Sequence, residues 1–124
     1  MKTIGAIIVS LAVVLASGSA SAAGDAKKGK RVFNKCKACH ALAEGKQRIG
    51  PSLHGLFGRT SGTVPKFRYS SAMTKAKIVW NDETLHHYLE KPKNMVPGTK
   101  MAFPGLSKQA DRDDVIAYLK EATK

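Results

Sequence analysis

Cys36-Lys37-Ala38-Cys39-His40 constrains this chain more than any other feature, because five adjacent residues bring two thiols and an imidazole together. The chain has 2 cysteines, and both lie in this segment. C-x-x-C-H is the attachment pattern of a c-type haem. The two thiols add across the two vinyl groups of the porphyrin, and the adjacent histidine is held beneath the iron as an axial ligand. Three other readings compete. A thioredoxin-like dithiol expects surrounding strand and helix sequence, whereas Lys27 to Ala38 reads as a helix running into the cysteines. A structural disulfide would use both thiols and leave the histidine unexplained. Zinc would find three donors here, but no second motif nearby completes a closed tetrahedral set.

The start of the chain is read apart from the fold. Met1 and Lys2 precede an apolar run from Ile4 to Ala16, and Ala20-Ser21-Ala22 supplies a small-residue cleavage pattern. Together these form a secretory signal peptide over residues 1–22, too short and wrongly flanked for a stable membrane span. A retained N-terminal anchor is the alternative. Residues 23–124 then make a single domain with a modest core, for which a covalent cofactor would serve as a staple. Export places the domain in the bacterial periplasm. The chain carries 21 Lys and Arg against 9 Asp and Glu, a formal charge of +12. Such an excess steers acidic partners and would also suit nucleic acid or an anionic membrane; export argues against the nucleic acid.

Apolar periodicity predicts about three main helices joined by loops, an all-α domain with no β-rich alternation. Asp25 caps a first helix reaching about Lys35, with Gly29 and Phe33 on one face and the glycine admitting close approach by another helix. Asn81 caps a second helix whose inner stripe is Leu85, Tyr88 and Leu89, ended near Lys91 by Pro92. A third begins around Ser107 to Asp111 and ends near Thr123, with Val115, Tyr118 and Leu119 facing the first helix. Residues 43–62 and 65–71 read as irregular. Ile49-Gly50-Pro51 can place the Pro51 carbonyl where it accepts a hydrogen bond from the second nitrogen of His40, orienting the ring. Leu53, Leu56 and Phe57 cover the haem edge; Arg59 and the Tyr69 hydroxyl can meet propionates; Trp80 buries its ring and offers one indole donor. His86 and His87 have no matching ligand set. For the second axial ligand, Met101 lies between two Pro-Gly turns and offers a soft thioether, with Met95, Met73 and His54 as competitors on spacing alone.

With these residues in place, the sequence resembles the class I cytochrome c family, bacterial cytochrome c2 and the mitochondrial-type cytochromes c above all. The resemblance rests on Gly29 with Phe33, Cys36 to His40, Gly50 to Arg59, Trp80, Pro97 to Met101, and Val115 to Leu119. It implies a compact class I cytochrome c fold around one haem c attached through Cys36 and Cys39. It further implies His40 and Met101 as axial ligands, Pro51 supporting His40, Tyr88 meeting the Met101 sulfur, and Thr99 in the same network. Arg59, Tyr69 and Trp80 resemble the residues around the propionates. Lys30, Lys35, Arg48, Lys93, Lys100 and Lys108 resemble the positive surface around the exposed haem edge. Two positions depart from the pattern: Met73 replaces an asparagine near internal water, and Lys77 replaces a turn glycine.

The expected function is soluble one-electron transport, with no catalytic acid–base or nucleophilic set. Leu53, Leu89, Phe103 and Leu106 would restrict water around the porphyrin. The helical stripes suffice for an internal core and suggest no coiled-coil partner, so a monomer is expected, making transient contacts with acidic redox proteins. By the resemblance, a cytochrome bc1 complex would be the donor, and a terminal oxidase or photosynthetic reaction centre the acceptor. The alternative is a c-type haem ligand-binding or peroxidase-like protein, which needs an open distal position. A basic periplasmic module merely stabilised by haem is a third.

Overall fold

The computed structural model describes residues 24–124; the expected signal peptide lies outside the described residues. The elements are helical throughout, with five α-helices: α1 Ala26–Val32, α2 Ser71–Ala76, α3 Asp82–Glu90, α4 Pro92–Met95 and α5 Gln109–Ala122. The described residues form no strand, and an isolated antiparallel bridge joins Thr60 to Val79.

Both α1 and α3 start where a side chain can satisfy an orphan N–H. The Asp25 carboxylate accepts from Lys28 N–H at 3.0 Å at the start of α1, and that bond is the main reason its pKa lies below the ordinary carboxylate value. At α3, Asn81 accepts from Thr84 N–H at 2.9 Å while the Thr84 hydroxyl accepts from Asn81 N–H at 2.9 Å, a complete capping box. Pro92 ends that helix at Glu90, then opens α4 from its first position, where no N–H is required. The first helix tightens before its expected end: Phe33–Lys35 forms a 3-10 turn delivering the chain to Cys36.

The element α2 was absent from the sequence expectation. The Ser70 hydroxyl accepts from Met73 N–H at 3.0 Å and starts it, and six residues give too little periodicity to be legible beforehand. The helix ends at Lys77 in the left-handed region, with φ 48°. This is the turn position where the family pattern carries glycine, so the lysine is held where a Cβ is unfavourable. Lys77→Gly is expected to raise stability by about 0.5–1 kcal/mol, the relief of strain exceeding the added chain entropy. Thermal unfolding of the haem-loaded protein should move up by a few degrees; an unchanged or lower midpoint would contradict this.

α1 and α5 cross at Gly29, where an ideal Cβ would overlap the Asp114 carbonyl and lie 2.8 Å from the Tyr118 Cβ. The chain ends are also tied by Asp25 N–H donating to the Asp114 carboxylate at 2.8 Å, and by Phe33 against Tyr118 with ring centroids 5.4 Å apart. α3 joins α5 through His86 with Asp113 at 2.9 Å and through Lys120 with Asp82. Phe33, Leu56, Met73, Trp80, Leu85, Tyr88, Leu89, Val96, Leu106, Val115, Ile116 and Leu119 form the buried core.

Candidate functional site

The attachment segment begins where the 3-10 turn ends. Cys36 N–H donates to the Phe33 carbonyl at 2.8 Å, and the N–H groups of Cys39 and His40 both donate to the Cys36 carbonyl, at 3.1 and 3.0 Å. The backbone therefore closes on itself and presents two thiols and an imidazole from one turn. Both thiols are free and half-buried. Burial pushes the Cys36 thiol up to about 11, with the neighbouring Cys39 adding to the shift. The attacking thiol of a redox dithiol is displaced the opposite way, so Cys36 does not suit thioredoxin-type exchange.

His40 is oriented from behind. Its Nδ1–H donates to the Pro51 carbonyl at 2.8 Å, and because a carbonyl can only accept, the proton is on Nδ1 and the lone pair is on Nε2. Burial holds the imidazole below its ordinary pKa; the Pro51 bond opposes this and the Arg59 charge assists it. A neutral ring with a fixed tautomer and a free Nε2 is the form a metal ligand requires. Gly50 is needed beneath it, since an ideal Cβ there would come 2.5 Å from the ring Cε1. The Gly50 N–H donates to the Cys39 carbonyl at 2.8 Å and fastens this segment to the attachment turn.

The Met101 segment is held by a closed circuit of hydrogen bonds. Met101 N–H donates to the Thr99 hydroxyl at 3.3 Å, and the Tyr88 hydroxyl lies 3.4 Å from the same oxygen. The Tyr88 hydroxyl donates to the Met101 sulfur at 3.3 Å. Since Tyr88 has one hydroxyl hydrogen, Thr99 supplies the hydrogen between the two oxygens. Burial raises the Tyr88 pKa and the Thr99 bond acts against that rise, as a bond donated to the phenol oxygen should. A sulfur engaged by one donor retains a lone pair for a soft metal.

The sequence matches the protein-family model described as Cytochrome c over residues 26–123. Cytochrome c of Gibberella zeae is 52% identical over 105 residues, covering 83% of this chain and 99% of that protein. Cytochrome c of Stellaria longipes is 53% identical over 82% of this chain and 95% of its own length, and that of Euglena viridis 52% over 78% and 96%. The chain belongs to the cytochrome c family. It has the all-α class I fold, and as a member of this family it is an electron carrier and not an enzyme. The free thiols of Cys36 and Cys39, followed by a neutral imidazole, fit c-type haem attachment.

In this cytochrome, Arg59 is half-buried and donates through Nη1 to the carbonyls of Ser52 at 3.1 Å and His54 at 2.9 Å; burial lowers its pKa. The Tyr69 hydroxyl accepts from Val64 N–H at 3.1 Å, and Trp80 is buried against Tyr88 with ring centroids 5.0 Å apart. Met73 is buried in the core, and His54 lies 4.0 Å from the Glu44 carboxylate. Met95 is partly buried and packs against the core. His86 is engaged by Asp113. Lys30, Lys35, Arg48, Lys93, Lys100 and Lys108 are all exposed, and none is in an ion pair among the described residues. Arg112 was not anticipated: it is buried and donates to the carbonyls of Leu106 at 2.6 Å and Ser107 at 3.1 Å, fixing the chain that follows the Met101 segment. Arginine in a helix reads as surface, so no sequence signal marked it. No described helix is long and apolar enough to cross a membrane.

Proposed function

We propose that this cytochrome is a periplasmic one-electron carrier in which Cys36 and Cys39 hold one haem c, with His40 and Met101 as its axial ligands. Residues 1–22 are its cleaved signal peptide and residues 23–124 its single domain. The observation that carries this reading is the pair of separately locked donors: His40 fixed by Pro51 at 2.8 Å and Met101 fixed by Tyr88 at 3.3 Å.

When bound, a haem supplies an iron that gains and loses one electron without other chemistry. The chain's contribution is to keep both ligands still while the charge changes. Pro51 keeps the His40 ring oriented and its Nε2 unprotonated. The Thr99–Tyr88 circuit holds the Met101 sulfur in place, so reorganisation on electron transfer stays small. Leu53, Phe103 and the buried Leu89 and Leu106 limit water around the site. Arg59, Tyr69 and Trp80 bind the propionates. The exposed cations orient the molecule toward an acidic partner, which a transient carrier must also leave quickly. The donor is a cytochrome bc1 complex and the acceptor a terminal oxidase or a photosynthetic reaction centre, approached by a monomer.

The test is electron exchange with purified cytochrome bc1 complex, followed by rapid mixing over a range of salt. Exchange should be fast at low ionic strength and slow markedly as salt rises. A haem that reacts with hexacyanoferrate but with no redox protein would contradict the carrier role. Tyr88→Phe tests the ligand circuit. Without the hydroxyl the sulfur donates more fully to Fe(III), and the potential should fall by about 20–60 mV, the one-electron equivalent of a net ~0.5–1.5 kcal/mol hydrogen bond. An unchanged potential in equilibrium redox titration would remove Tyr88 from the circuit's function.

A further inference from the structure

Arg112 closes the first turn of α5 and is only 9% exposed. Among the described residues no carboxylate pairs with it. A buried cation near a helix start is disfavoured twice, by lost hydration and by the positive end of the helix dipole. Its Nε is also buried without a hydrogen-bond partner among the described residues. The compensation lies at a single nitrogen. Nη1 has two hydrogens, donated to the Leu106 carbonyl at 2.6 Å and the Ser107 carbonyl at 3.1 Å. Leu106 is buried, and its N–H donates to the Leu89 carbonyl at 2.7 Å, so this residue is held from both sides. The preceding Gly105 lies so close to the end of α3 that an ideal Cβ would overlap the Glu90 carbonyl. Between Met101 and this anchor, residues 102–105 make no backbone–backbone hydrogen bond among the described residues. Met101 is thus suspended between the Tyr88–Thr99 circuit and the Leu106 anchor.

We propose that Arg112 is a positioning residue for the distal ligand: by fixing Leu106 and Ser107 it keeps the Met101 sulfur within reach of the haem iron. This rests on the reading of His40 and Met101 as axial ligands. The circuit on the other side uses long contacts, 3.3 Å from the Tyr88 hydroxyl to the sulfur and 3.4 Å from Tyr88 to Thr99. Such bonds are individually weak, so the far anchor decides how readily the segment swings away. Loss of the charged donor leaves two carbonyls unpaired and frees the four residues that follow Met101. Opening of the distal segment then becomes more populated, while the His40 side stays fixed by Pro51. A planar guanidinium sets the direction of both bonds, which a lysine ammonium reproduces only in part.

The experiment titrates the oxidised, haem-loaded protein with imidazole, which reaches the iron only when the methionine has left it. The apparent affinity therefore reports the fraction of molecules with an open distal position. Arg112→Gln should bind imidazole about five- to tenfold more tightly than wild type. Arg112→Lys should fall between the two, partly rescued by its remaining donor. Ile116→Ala hollows the buried face of the same helix without touching either carbonyl. It should lower the denaturation midpoint yet bind imidazole within twofold of wild type, and Met101→Ala gives the fully open limit. An affinity of Arg112→Gln within twofold of wild type would overturn the positioning role and leave Met101 as the ligand. Equal tightening in Ile116→Ala would overturn it too, by showing that general loosening of α5 suffices. If the glutamine variant does not retain haem, Arg112→Lys decides: tightening of at least about twofold is expected, and none sinks the proposal. A wild type that binds imidazole as tightly as Met101→Ala would remove Met101 from the iron, and the role of Arg112 with it.

Discussion

Met101→Ala is expected to lower the reduction potential by on the order of 0.1 V or more, within the ~0.8 V that axial ligation spans. It should also abolish the methionine-to-Fe(III) absorption feature. Thioether sulfur is a soft donor that favours the reduced iron, and its replacement by water or a harder ligand favours the oxidised one. The side chain's neighbours sharpen the expectation. Tyr88 and Thr99 would lose the sulfur that completes their circuit, while the His40–Pro51 bond lies in a separate part of the chain and should survive. The variant should therefore keep its covalent haem and gain reactivity toward small ligands such as cyanide. Redox titration and ligand binding check both effects. A variant with the wild-type potential and no new ligand affinity would require another residue in the distal position.

Gly29→Val should destabilise the domain by about 3 kcal/mol or more, a large share of the ~5–15 kcal/mol that holds a typical domain together. The overlap at Gly29 is with the Asp114 backbone carbonyl, which cannot rotate away as a side chain would. Relief requires the two helices to separate, loosening Phe33 from Tyr118 and Asp25 from Asp114. Overpacking of flexible cores costs about 1–3 kcal/mol, and a rigid obstacle should reach or exceed the top of that range. Denaturant unfolding of the haem-loaded variant gives the measurement. A midpoint shift equivalent to less than about 0.5 kcal/mol would mean that α1 and α5 do not meet as closely as described.

What was legible in the sequence followed from residues acting on near neighbours. Asp25 and Asn81 announced helix starts because a capping oxygen needs an N–H only three residues away, and Pro92 announced an end for the same local reason. Gly29 was readable as a close approach because helical spacing set it with Phe33 on the packed face. α2 was not readable: its six residues follow an irregular stretch, and its start depends on one serine hydroxyl. Arg112 was missed because its worth lies in two carbonyls of a loop that the helix meets only after folding. The site divides in the same way. The attachment turn is contiguous and its chemistry could be stated from spacing. The Tyr88–Thr99–Met101 circuit joins residues on a helix to a loop, so spacing left Met101 among four candidates and the family resemblance selected it.

The most direct measurement is the visible absorption spectrum of the protein, purified from a host able to attach c-type haem, in its oxidised and reduced states. Two thioether-forming cysteines with His40 and Met101 as ligands should give sharp low-spin c-haem bands. The oxidised form should add the weak charge-transfer feature of a methionine–Fe(III) bond, which disappears in Met101→Ala. A covalent haem with a high-spin spectrum or without that feature would contradict the closed His/Met carrier, and the absence of any covalent haem would contradict the account at its root.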